Sequence, residues 1–183
     1  GTSPTNGPVS GGTLVTVAGS NFFAGQIVCR FGAQAVSGTV VSLSRLLCIT
    51  PANSAGNSAV DVGVNAQDFT ASGINFLYEP VATVSSVAPL LGAVTGGTTV
   101  TVIGANFVGT TVWCKFGTST VVASLDTATR VFCSAPAGSL GAVSVEVSNN
   151  NVDFTNNGVQ FVYVAVASVT SIIPTTGPTS GVT

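Results

Sequence analysis

The chain has 183 residues, four basic and six acidic side chains and a net charge of −2, so it has no basic face to neutralise a phosphate backbone or an anionic membrane. Nucleic acid is therefore excluded as a partner, and with no run of 18 apolar residues no membrane insertion of this segment is expected. It has no His, which removes Ser-His-Asp and Cys-His arrangements and leaves no expectation of an enzyme, a cofactor or a metal.

The elements are predicted to be strands. Gly (22) and Pro (8) punctuate runs of Val, Thr, Ser and Ala, and Met is absent. Only 5% of residues are charged, against roughly a quarter in ordinary soluble domains. The surface must be covered by Ser, Thr, Asn, Gly and Ala, which points to assembly, to attached sugars, or to both. There is no run of 18 apolar residues, and Gly1, Thr2 and Ser3 carry no signal pattern, so the chain reads as a mature segment or a fragment.

In chain order, Ser10 to Gly12 supply a tight turn, and Val15 and Val17 alternate inward on the strand that follows. Cys29 and Phe31 point inward with Val28 and Arg30 outward; Leu46 and Cys48 point inward with Arg45 and Leu47 outward. Val60 and Val62 face the core and Asp61 faces out, while Ile74, Phe76 and Tyr78 share one face and Leu77 takes the other.

The whole series then returns after 85 positions without a gap. Pro89, Gly96, Gly97, Val100, Val102, Gly104, Asn106, Phe107, Cys114, Phe116, Cys133, Val145, Val147, Val159, Phe161 and Tyr163 repeat the pattern, and the outward positions return as Trp113, Phe132, Glu146 and Val162. A third copy opens with Pro174, Gly177, Pro178 and Gly181. The expected domains are 1–80, 81–165 and the opening strand and turn of a third repeat over 166–183. Val81 to Ser85 corresponds to Val166 to Thr170 but has no counterpart before Gly1, so the first copy lacks its own first strand. Either the chain is cut from a longer tandem array, or the strand around Val166 to Thr170 completes the first domain of a neighbouring copy, head to tail.

Read from Pro4 to Phe22, the order Pro-x-x-Gly-Pro-x-x-Gly-Gly-Thr-x-Val-Thr-Val-x-Gly-x-Asn-Phe, followed by Cys29-x-Phe31-Gly32 and Cys48-x-x-Pro51, resembles the IPT/TIG module. The second copy departs at Leu90, Leu91, Gly92 and Ala93 and keeps the rest. The resemblance implies an all-β chain of tandem immunoglobulin-like β-sandwich domains, with Greek-key antiparallel sheets, arranged end to end. It implies extracellular modular use, as in plexins, Met-type receptors and many surface proteins, and it implies no chemistry.

Cys29, Cys48, Cys114 and Cys133 admit three pairings. Pairing within each copy follows if each repeat folds around its own core, and the resemblance supports it; two reduced core thiols are the alternative. A bridge closing a loop of about 20 residues contributes roughly 3 kcal/mol and implies an oxidising compartment.

Asp68 and Asp153 sit beside turn residues, where they cap turns. Asn149 to Asp153 reads as a polar hairpin loop rather than a calcium site. The outward apolar residues Val28, Leu47, Leu77, Trp113, Phe132 and Val162 are candidate contacts between domains or with sugar rings, with Trp113 and Phe132 on strands flanking the disulfide. No Asn-x-Ser/Thr sequon occurs, and Thr16, Thr99, Thr101, Thr175, Thr176 and Thr179 are candidates for O-glycosylation.

The expected function is an extracellular structural repeat protein, forming a rod or filament on a cell surface. The alternative is an adhesion or receptor-type ectodomain that binds a protein or glycan through loops such as Thr118 to Asp126. A module attached to a polysaccharide-active enzyme is a third reading, by family analogy alone.

Overall fold

Period-2 alternation with Gly and Pro at the breaks produces strands alone among the described residues, which in this computed structural model are 1–23, 25 and 27–179. Gly181 of the third copy lies outside them.

The first unit runs through β1 (Thr2–Ser3), β2 (Asn6–Pro8), β3 (Leu14–Ala18), β4 (Ile27–Phe31), β5 (Gln34–Ser42), β6 (Arg45–Ile49), β7 (Gly56–Gly63) and β8 (Asn75–Glu79). The second repeats it as β9 (Thr83–Ala88), β10 (Leu91–Ala93), β11 (Thr99–Ala105), β12 (Val112–Phe116), β13 (Ser119–Thr127), β14 (Arg130–Ser134), β15 (Gly141–Ser148) and β16 (Gln160–Val164).

The spatial order in the first unit is β1-β3-β6-β5-β4-β7-β8-β2, and β5 serves both layers. Its first half pairs with β4 and its second half with β6, and Gly38 at the bend pairs with both Ile27 and Cys48. A Cβ at Gly38 would stand 2.9 Å from Leu46 and 3.1 Å from the Cys29 sulfur, so the bend closes tightly over the core. Ala123 takes this place in the second unit and is itself buried.

Each core is built from the predicted inward residues. Val15, Cys29, Phe31, Leu46, Phe76 and Tyr78 are buried in the first, and Val100, Cys114, Val131, Val147, Phe161 and Tyr163 in the second. Phe31 meets Phe76 edge-on at 5.8 Å and Phe76 meets Tyr78 at 5.0 Å; Phe116, Phe161 and Tyr163 repeat the stack at 5.5 and 5.1 Å. Ile74 and Val159 are half-buried against these stacks. The disulfides Cys29–Cys48 and Cys114–Cys133 stay within their units and tie one layer to the other, with Cα atoms 6.3 Å apart in both.

Four expectations need correction. The sheets are not wholly antiparallel: β2 lies parallel to β8, and β10 parallel to β16. The chain crosses from one layer to the other at Pro4 and Pro89, so one segment borders both layers and reaches the second in the same direction as its neighbour. Secondly, Asp61 lies on the outer face yet is only 7% exposed. The Arg30 guanidinium donates to it at 2.9 Å, and the Phe69 ring lies against that guanidinium at 4.1 Å, covering the pair. Lys115, Glu146 and Phe154 repeat the arrangement.

Thirdly, the first unit keeps the end of its first strand. Thr2 and Ser3 pair with Val17 and Thr16, in the register that Val87 and Ala88 keep with Val102 and Thr101. Finally, Val166 to Thr170 pairs with no strand among the described residues; Val166 is 57% and Val169 89% exposed.

Candidate functional site at the junction of the two units

The loop from β15 to β16 is shaped by one amide. The Asn150 side-chain oxygen accepts from the backbone N–H of Val152 and of Asp153 at 2.9 and 2.8 Å, and its amide nitrogen donates to the Asp153 carboxylate at 2.7 Å. Asn151 takes the left-handed conformation at φ 61°, which Asn tolerates better than most side chains. Asn65 organises the first unit's loop in the same way, accepting from Gln67 and Asp68 and donating to Asp68 at 2.7 Å. Asn65 and Asn150 therefore cap these turns, where Asp68 and Asp153 had been expected to.

In the second unit this loop reaches the first unit. The Thr13 hydroxyl donates to the Asp153 carboxylate at 2.7 Å, and the Asn150 amide donates to the Asn6 carbonyl at 2.8 Å. Thr13 is fully buried in the assembled chain, and its backbone is held by Thr50 on both its N–H and its carbonyl. Asn6 is fixed too, its amide donating to Glu79 at 3.0 Å. A hydroxyl donating to a carboxylate is among the stronger protein hydrogen bonds. The short linker from Pro80 to Ala82 is therefore supplemented by side-chain bonds from both units.

Two crevices flank the clamp. The larger, about 430 Å³, is bordered by Pro4, Leu77 and Glu79 of the first unit and by Thr111, Trp113 and Asn149 of the second. An indole beside a carboxylate and several amides presents one apolar face and several hydrogen-bonding groups. A sugar ring or an extended peptide needs both. The other crevice, about 170 Å³, lies between Pro8 and Phe154.

Of the outward apolar candidates, Leu77 and Trp113 meet in the larger crevice. The structure does not bring Trp113 and Phe132 together. Cys114 and Cys133 face each other across the core, so their neighbours Trp113 and Phe132 lie on opposite outer faces. Val28, Leu47, Phe132 and Val162 are half-buried along their strands; Leu47 stands beside Thr16, and Phe132 beside Thr101. Thr99, Thr175, Thr176 and Thr179 are exposed. Among the described residues no three His, Cys, Asp or Glu side chains converge as a metal site.

Thr13, Asn6 and Glu79 were not picked out from the sequence. The repeated Asn-x-x-Asp was a legible signal, but its partner lies 140 positions away.

Comparison with known proteins agrees with this architecture. The family model described as IPT/TIG domain matches residues 1–78 and again 82–163. Fibrocystin-L of Mus musculus is 31% identical over 104 residues, 57% of this chain and 2% of that protein. Plexin A3 of Danio rerio is 34% identical over 106 residues, 56% of this chain and 6% of that protein. The chain thus spans a small part of the relatives it matches. Among solved structures, the full extracellular region of Plexin A4 superposes with a TM-score of 0.55 and 25% identity, covering 81% of this chain and 14% of that one.

Proposed function

Because the chain belongs to the IPT/TIG domain family, in two consecutive copies, we propose that it is a non-catalytic, receptor-type ectodomain segment. It acts outside the cell, holding its two units in a fixed relation and presenting the crevice between them to a protein or glycan ligand. The clamp of Thr13, Asn6, Asn150 and Asp153 beside Trp113 carries this reading. Neither unit alone provides both walls of the crevice. Two disulfides suit an oxidising, extracellular setting, and the matched Plexin A4 structure is itself of an extracellular region.

The test is capture of the purified chain on printed glycans and on an array of secreted ectodomains, beside Trp113→Ala. The reading expects at least one probe to retain the chain and to lose the variant. Capture of neither, or equal capture of both, contradicts it.

A rod or filament of end-to-end units is the second reading, favoured by the side-chain bonds that tie one unit to the next.

A further inference from the structure

Three times in this chain a basic side chain lies between an aromatic ring and a carboxylate. Arg30 stands 4.1 Å from the Phe69 ring and binds Asp61, Lys115 stands 4.5 Å from the Phe154 ring and binds Glu146, and Arg130 stands 5.7 Å from the Phe132 ring and binds Asp126. The ring face and the carboxylate attract the same cation, each from its own side. Of the four basic residues only Arg45 is left over, and it pairs in register with Ala18, at the end of β3 away from Thr13.

The larger crevice at the junction has the ring and the carboxylate but not the cation. Trp113 of the second unit and Glu79 of the first both border it, and no Lys or Arg is among the residues that line it. Trp attracts a cation more strongly than the other aromatic side chains do. Glu79 has no basic partner among the described residues, and its carboxylate accepts from the Asn6 amide at 3.0 Å. Asp153 borders the second crevice together with Glu79, and its donors are the Thr13 hydroxyl and the Asn150 amide. Of the three acidic side chains that no base neutralises, Asp68, Glu79 and Asp153, two thus stand at the junction.

We propose that this crevice takes a Lys or Arg side chain from an extended segment of a protein ligand, with the cation over the Trp113 indole and against the Glu79 carboxylate. The aliphatic stem of such a side chain lies along Leu77 and Pro4, and the volume of about 430 Å³ accommodates it. Thr110 and Thr111, which also border the crevice, can hydrogen-bond the peptide backbone. A neutral sugar would stack on the same indole, yet it brings no charge to answer two unpaired carboxylates, and an anionic sugar would be repelled by them. Ring and carboxylate come from different units, so the cation is held only while the clamp keeps the units together. This inference rests on the reading of the crevice as a ligand site and adds the chemistry of the ligand.

Short peptides carrying Lys, Arg or Gln between glycines, and the neutral oligosaccharide cellohexaose, titrated against the isotopically labelled whole chain, test it. The Lys or Arg peptide is expected to shift the Trp113 indole N–H and the Leu77 methyl resonances saturably, and the Gln peptide and cellohexaose are expected to leave them in place. Glu79→Gln keeps an oxygen for the Asn6 amide while removing the charge, so the first unit stays folded, and binding should weaken by about fivefold, the order expected of a partly exposed ion pair. Asp68→Asn removes the same charge from a loop outside the crevice and should leave binding unchanged. Basic peptides that move neither resonance, equal shifts with the Gln peptide or cellohexaose, or indifference to Glu79→Gln would overturn the inference. The crevice itself is judged separately by capture: a probe that retains the chain and loses Trp113→Ala would then leave the ligand site standing with a different chemistry.

Discussion

Thr13 of the first unit donates its hydroxyl to Asp153 of the second at 2.7 Å, and with the Asn150–Asn6 bond it supplements the short linker between the two domains. Thr13 is buried in the assembled chain, and Thr50 holds the backbone from which its hydroxyl projects.

Pairwise removal should measure that bond. Thr13→Val, Asp153→Asn and the double variant form a cycle whose coupling is expected at about 1–2 kcal/mol in thermal unfolding, the range for a hydrogen bond to a charged group at partial burial. A coupling near zero would mean that this bond contributes nothing to holding the units together.

Each unit should depend on its own bridge. Replacing Cys114 and Cys133 together with Ala is expected to destabilise the second unit by roughly 3 kcal/mol on the loop-entropy account and to leave the first unchanged. Trp113, the one Trp of the chain, reports unfolding of the second unit by fluorescence, so denaturant titration separates the two. The equivalent change at Cys29 and Cys48 should leave the Trp113 transition where it is.

Alkaline pH should weaken both cores. Burial raises the Tyr78 phenol from 10.0 to about 12, while the Thr50 and Asn53 side chains draw it part of the way back; burial also raises Tyr163. A phenol whose pKa is higher in the folded state favours folding fully below pH 10. That contribution is lost as the pH rises through the folded value, so stability should decline between about pH 10 and 12. Ultraviolet titration of tyrosinate, run beside Tyr78→Phe, checks this: the variant should lose the higher transition and part of the alkaline destabilisation.

The covered ion pairs give a fourth expectation. Phe69 shields Arg30 and Asp61, and Phe69→Ala is expected to cost about 1–2 kcal/mol through lost cation–π contact and packing. Denaturant midpoints of the variant measure it; Phe154→Ala should behave alike in the second unit, where Lys115 replaces Arg30.

Much of the fold was legible because the 85-residue period compares every strand with a second version of itself. Val15 against Val100 and Cys29 against Cys114 named the inward face without further information, and burial agrees. The resemblance to the IPT/TIG module named the family, and the family model matches both copies. What alternation could not show was any meeting between faces. It marked Asp61 as outward but not the Phe69 ring that covers its partner, because strand register alone brings Arg30 opposite Asp61. Trp113 and Phe132 are each next to a bridged Cys, and alternation alone does not show that the bridge spans two layers and sends them to opposite sides. The junction was hidden for a related reason, since Thr13 has a purely local role in the repeat until the second unit is placed against it.

Residual dipolar couplings of the isotopically labelled chain address the fixed junction most directly. If the clamp of Thr13, Asn6, Asn150 and Asp153 holds, both units report one common alignment tensor in the wild type, and Asp153→Ala splits it into two. Two distinct tensors in the wild type would contradict the account.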